Sequence, residues 1–305
     1  MRQAQIGDAV LVRCERVEWG MGSGPKDLLE LRRGSVTKPP WILDLVQPEV
    51  GGGRIDPSEL SAIDEKPSAI ALRVSGLDQP AFEHLISGWG TRFQAIEFWK
   101  CPKLEDLTPL EDLPDLRMVS FYWNQRSARL WNLTRTPRVT ALGFQDFRRL
   151  HRLDELSAGK ALTELSLGDA VWAKSTFESL DPLAALTGLR SLSLLPKRID
   201  DGRVQPLGVL TGLEKLSIPT NLFTTEQIAW LRARLPEAVE SSALSALLRL
   251  EKPLNLDGKS RDVLLIGKRK PLLNSDVDAS RIKRHVEAFD KMVANFRENP
   301  AIEPT

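Results

Sequence analysis

The chain has 305 residues, enough for a large core, and its 42 Lys plus Arg against 41 Asp plus Glu leave a net charge of +1. That balance lacks the basic excess that marks a nucleic-acid binder, and no run approaches the ~18 consecutive apolar residues of a membrane span. Only two cysteines, Cys14 and Cys101, are present, which excludes a disulfide framework and points to a reducing compartment.

Residues 1–65 are expected to form a β-rich N-terminal cap. Residues 9–19 are rich in β formers and read as one or two strands. The glycine-rich stretch 20–26 carries a Lys but lacks the Gly-Lys-Ser/Thr ending and the helix of a phosphate loop, so it reads as a turn. A further strand is predicted over 41–46. Asp56-Pro57-Ser58-Glu59 supplies a capping residue, a first-turn proline and an acid at the third helical position, which predicts a short helix. The first eight residues show no apolar signal-peptide core, and the expected location is cytoplasmic.

Residues 70–74 look like a degenerate strand, followed by a helix over 78–86 with Pro80 in its first turn. From Phe93 a pattern then repeats: Phe93-x-x-Ile96-x-Phe98-x-x-Cys101, Leu116-x-x-Val119-x-Phe121-x-x-Asn124, Val139-x-x-Leu142-x-Phe144-x-x-Phe147, Leu162-x-x-Leu165-x-Leu167, Leu189-x-x-Leu192-x-Leu194 and Leu213-x-x-Leu216-x-Ile218-x-x-Asn221. The first positions are spaced by 23, 23, 23, 27 and 24 residues. A fixed period in this range marks a solenoid. Alternation places the fourth and sixth residues of each unit on one face of a strand and the third, fifth and seventh on the other. One unit cannot bury its apolar face alone, so stacked units must share a core. Between strands, Leu107-Thr108-Pro109-Leu110, Leu180-Asp181-Pro182-Leu183 and Val204-Gln205-Pro206-Leu207 repeat one another and predict short 3₁₀ or α turns. The longest interval holds the extra segment 172–175, expected to loop out.

These units resemble the leucine-rich repeat family, whose consensus Leu-x-x-Leu-x-Leu-x-x-Asn/Cys they follow over about residues 66–240. The Leu-x-Pro-Leu-x-x-Leu segments are similar to those of bacterial members. The resemblance implies an α/β solenoid, with a curved parallel sheet on the concave face and short helices or 3₁₀ turns on the convex face. It also implies binding of another macromolecule. The ninth position, Asn in the family, is Phe147 and Lys197 in middle units, where irregular bends are expected.

After the last clear unit, Thr224 and Gln227 form a capping box for a helix that stops at Pro236. Residues 241–305 are expected to be a C-terminal cap. Asp257-Gly258 between two apolar runs predicts a hairpin. Residues 280–296 predict a helix with Ile282, Val286, Phe289, Val293 and Phe296 on one face, opened by Asp278 or Ser280 as cap.

No catalytic constellation, metal-ligand pattern or cofactor motif is present, and His84, His151 and His285 are isolated from one another. The concave face is more informative. Trp99, Tyr122 and Gln145 occupy the seventh position, and Lys100, Trp123, Asp146 and Asp169 the eighth. Strands ~4.8 Å apart bring Trp99 against Tyr122 and Trp123 beside Lys100. Glu97 stands at the fifth position, followed by Ser120, Gly143, Ser166, Ser193 and Ser217. Asp146 and Asp169 form an acidic step suited to a basic residue. Aromatic rings dominate binding hot spots, so these eight residues are the candidate site for a protein or peptide partner. The rival reading makes the solenoid the targeting arm of an effector or enzyme, with activity in a flank or a partner chain.

Overall fold

The computed structural model describes residues 42–46, 53–168 and 175–304. Within them the chain builds an eight-stranded sheet in the order β1 (Ile42–Leu45), β2 (Ala71–Ser75), β3 (Ala95–Trp99), β4 (Met118–Asn124), β5 (Ala141–Phe147), β6 (Glu164–Gly168), β8 (Ser191–Leu195) and β10 (Lys215–Ser217). All seven pairings are parallel. The fourth residues of the units face one another in an unbroken ladder: Leu43, Leu72, Ile96, Val119, Leu142, Leu165, Leu192 and Leu216. A parallel sheet in strict chain order, one strand per repeat, is a leucine-rich repeat solenoid.

The return segments explain their own geometry. Leu107, Leu110, Leu113 and Leu116 follow at steps of three, and the N–H of each later one donates to the carbonyl of its predecessor at 3.1 Å. A 3₁₀ helix has three residues per turn, so a leucine every third residue always faces the same way. All four are buried, at 2% exposure or less. The same steps run through Leu180, Leu183, Leu186 and Leu189, and through Val204, Leu207, Leu210 and Leu213. The predicted outer turns are therefore 3₁₀ over Thr108–Asp112 and Asp181–Ala185, with one short α turn, α2 (Gln205–Gly208), and a further 3₁₀ turn spans Asp154–Ala158. The early repeat instead has a full helix, α1 (Gln79–Trp89), capped by Asp78 and opened by Pro80.

Inside, the sixth positions of the first half are aromatic. Phe98, Phe121 and Phe144 stack with centroids 4.6 and 5.6 Å apart and ring planes within 17°. Phe147, at the ninth position, is buried and meets Phe121 and Phe144 edge-on at 5.5 and 5.1 Å. It fills with a ring the place where Asn124, one repeat earlier, uses hydrogen bonds. The Asn124 amide donates to the Leu104 carbonyl at 3.0 Å, and its oxygen accepts from the N–H groups of Arg126 and Ser127. Cys101 holds the same place one repeat before, and burial pushes its thiol up to about 12, which keeps it protonated and unreactive.

The Asp56 capping box forms as expected, over a 3₁₀ turn at Pro57–Ile63. The strands predicted over 9–19 and the turn at 20–26 lie outside the described residues, as does most of the 172–175 insertion. Its last residue, Ser175, is buried and leads into β7 (Thr176–Phe177), which pairs in parallel with β9 (Arg198–Ile199). At the far end, α3 (Thr225–Arg234) carries the predicted Thr224–Gln227 box. Beyond it, β11 (Leu247–Leu256), β12 (Lys259–Leu265) and β13 (Leu272–Leu273) form an antiparallel sheet. Asp257 and Gly258 both take left-handed backbone, φ 52° and 73°, as a type I′ hairpin turn demands. The terminal helix α4 (Ala279–Glu298) packs on α3 and on this sheet. Asp278 precedes it but does not cap it: its carboxylate turns back to the Asn274 N–H, at 3.0 Å.

Candidate functional site

The inner face of the parallel sheet is built from the odd positions of each unit, and register decides what meets. At the fifth position the order is Arg73, Glu97, Ser120, Gly143, Ser166, Ser193 and Ser217. At the seventh it runs Ser75, Trp99, Tyr122 and Gln145. Trp99 and Tyr122 stack as expected, with ring centroids 4.3 Å apart and planes inclined by 16°. The Arg73 guanidinium lies over Trp99, 4.5 Å from its centroid, and the Lys100 ammonium is 5.9 Å from the same ring. Both contacts are cation–π in sense, of the order of ~1 kcal/mol each. Partial burial holds the Lys100 ammonium below the usual lysine range.

Glu97 and Arg73 face each other at 3.2 Å and are 6% and 5% exposed. Glu97 is therefore the partner of Arg73, fixing the cation against the face of the tryptophan. Arg73 was not among the residues expected from the sequence. The signal existed, since Leu72-x-Val74 is in phase with the later units, but the repeat is degenerate and its fifth position went unread.

The eighth positions share a conformation that side chains rarely adopt. Gly76, Lys100, Trp123 and Asp146 have φ of 74°, 52°, 63° and 54°, in four successive repeats. Glycine accepts this region freely, whereas other L-residues lose roughly 1–2 kcal/mol there, and bulky ones are outliers. The kink at the strand end turns each of these residues out of the pleat. Trp123 is half-buried, as are Trp99, Tyr122 and Gln145. In the next repeat Gly168, at the seventh position, has a φ of 92°.

Asp146 departs from the acidic step that the sequence suggested. It is 4% exposed and its carboxylate lies 3.8 Å from Arg148, so it is held within the chain. Asp169 lies outside the described residues. What the structure brings together is one stacked aromatic pair with Arg73, Glu97 and Lys100 around it, and Trp123 and Gln145 alongside.

No protein-family model and no curated protein matches the chain. Solved structures give distant likenesses. An internalin of Listeria monocytogenes shares 18% identity with a TM-score of 0.38, over 59% of this chain and 55% of that one. A leucine-rich repeat protein of Leptospira interrogans shares 15% with a TM-score of 0.43, over 63% of this chain and 48% of that one. A TLR13–ssRNA13 complex shares 16% with a TM-score of 0.45, over 60% of this chain and 26% of that one. The match spans about half the length of the first two. It is the chain's own strand register that defines its fold.

Each histidine has a structural contact. His84 meets the Trp89 ring edge-on at 5.4 Å, His151 Nδ1 lies 2.9 Å from the Thr176 carbonyl, and His285 Nε2–H donates to the Ala246 carbonyl at 3.0 Å. Among the described residues no three of His, Cys, Asp or Glu gather into a metal-binding group, and no helix is long and apolar enough to cross a membrane. The aromatic rim offers broad, rigid contact area with cations at its edge, which suits recognition of a macromolecular surface.

Proposed function

We propose that this chain is a non-enzymatic interaction module of the cytoplasm, which binds a protein or peptide on its concave face. Trp99, Tyr122 and Trp123 are the anchors, with Lys100 and Gln145 beside them and Glu97 and Asp146 as internal supports. Asp169, the eighth residue of the next unit in sequence, completes the proposed set. The observation that carries this reading is Trp123, a large aromatic held in left-handed backbone beside a stacked Trp–Tyr pair. Strain of this kind persists where the surroundings over-determine it, and it concentrates at binding and switching sites. A glycine would serve the turn without that cost, so the indole is there for what it touches.

The test is a comparative capture from native lysate with the wild type and the Trp99→Ala, Tyr122→Ala, Trp123→Ala variant, after circular dichroism shows both folded. A partner held by the wild type and lost by the variant is the expected result, each central ring contributing ~2 kcal/mol or more. Equal retention of that partner by both proteins removes the concave face from consideration.

A further inference from the structure

We propose a second docking surface, separate from the concave face, at the open end of the C-terminal sheet: it takes an acidic segment of a partner protein that alternates carboxylates with apolar residues. The pairing of β11 with β12 sets Leu254 opposite Arg261 and Leu256 opposite Lys259, and residues directly opposite in a ladder share a face. Farther along β12 that face is closed, since Val263 and Leu265 are buried with Leu273 under Ile282 of α4. The helix begins only at Ala279. The outer half of the face therefore lies beyond its first turn, and Leu254 and Leu256 remain 50% and 43% exposed.

The turn into α4 adds Val277, 85% exposed. It is fixed there. The Asn274 side-chain oxygen accepts from the Asp276 and Val277 N–H groups at 2.9 Å each, and its amide donates to the Ser260 carbonyl at 3.0 Å. Asp262 accepts from the Ser275 N–H at 2.8 Å. Val277, Lys259, Arg261 and Arg281 line one groove of about 570 Å³. Three of the five large apolar side chains exposed among the described residues thus belong to this sheet and the turn beside it, Val277 in the groove and Leu254 and Leu256 opposite its lining residues Arg261 and Lys259.

Charge selects the partner. Residues 247–284 hold ten Lys and Arg against five Asp and Glu. Lys259, Arg261 and Arg281 form no ion pair among the described residues, while the acids nearest them, Asp262 and Asp278, already accept backbone N–H groups. A nucleic acid finds no aromatic ring between 247 and 281 on which a base could stack. An anionic bilayer would also meet like charge at Asp257 in the hairpin turn and at Asp276 beside Val277. An acidic, apolar polypeptide matches both the cations and the leucine and valine side chains.

The probe is a fluorescent peptide of alternating Glu and Leu, read by anisotropy against the full chain. Binding that weakens with salt is expected. Lys259→Glu, Arg261→Glu, Arg281→Glu should lose roughly tenfold or more and should instead accept the Lys-Leu peptide. Arg281→Gln alone, and Val277→Ser alone, should each weaken binding, which keeps the test decisive if the triple variant unfolds. The Trp99→Ala, Tyr122→Ala, Trp123→Ala variant should bind the peptide unchanged. The proposal is overturned if the wild type does not bind, if charge reversal leaves affinity intact, or if an oligo(dT) strand or a phosphatidylserine vesicle binds more tightly than the peptide.

Discussion

From β2 to β5 the inner face presents Arg73, Glu97, Trp99, Tyr122 and Trp123, while from β6 to β10 the equivalent positions hold Ser166, Ser193, Ser217, Leu195 and Pro219. The core behind them changes at the same place, from the stacked Phe98, Phe121 and Phe144 to Leu167 and Leu194. The backbone differs as well: among the described residues of the solenoid, the non-glycine left-handed ones are Lys100, Trp123 and Asp146. One repeat unit is thus filled in two ways. On the concave-face proposal, the aliphatic units from β6 onward are scaffold, and the units whose rings fill the core and the seventh position hold the binding surface.

The contrast can be broken most severely in the aromatic core. Phe121→Ala removes the ring that joins Phe98, Phe144 and Phe147, and should cost about 3–5 kcal/mol in denaturant unfolding. Leu194→Ala, in the plainer half, should cost less; an equal or larger loss would show that the ring stack adds no rigidity of its own. Gly168→Ala probes the junction. A Cβ there would lie 2.4 Å from the Leu195 carbonyl oxygen, on backbone with φ 92°. Destabilisation well above ~1 kcal/mol is expected, because neither the clash nor the dihedral can relax cheaply.

A subtler pair of substitutions reads the strain itself. Trp123→Gly and Trp123→Ala both remove the indole, but only glycine suits φ 63°. The glycine variant should be the more stable of the two by about 1 kcal/mol. At Ser217, which is not left-handed, the order should invert, with glycine less stable than alanine by roughly 0.5–1 kcal/mol. The same sign at both positions would remove the distinction between the halves.

The smallest expected effect lies at the C-terminal helix. His285 donates to the Ala246 carbonyl, and burial holds its imidazole below the usual histidine range; the Lys270 charge acts in the same direction and the hydrogen bond against it. The folded chain therefore binds this proton less readily than the unfolded chain does. Its contribution is fully present above the ordinary histidine pKa of about 6.5 and fades as pH falls through that value. Protection factors of the α4 amides, corrected for the intrinsic exchange rate at each pH, should fall as pH drops below about 6.5, and His285→Asn should flatten that dependence.

Much of this organisation could be read from the residues. Leucines at steps of three announce 3₁₀ turns, Asp257-Gly258 announces the hairpin, and the stacking of Trp99 on Tyr122 follows from register. Three features could not be read. The left-handed eighth position has only a weak signal, Gly76 in the degenerate first repeat and Asp146, because Lys100 and Trp123 between them are not residues that favour positive φ. Arg73 was hidden in a degenerate repeat, and with it the reason Glu97 is buried. The sheet also starts earlier than the repeat pattern does: β1 pairs with β2 in register, although its sequence shares little with the later units beyond Leu43 and Leu45.

The most direct test of the concave-face reading places a benzophenone photocrosslinker at Gln145 or at Leu195, both half-exposed seventh-position residues on the same sheet. Adducts with a partner in native lysate from position 145, absent from position 195 and lost when Trp99→Ala and Tyr122→Ala are added, are what the account predicts. Equal adducts from both positions, or adducts indifferent to the loss of the two rings, would contradict it.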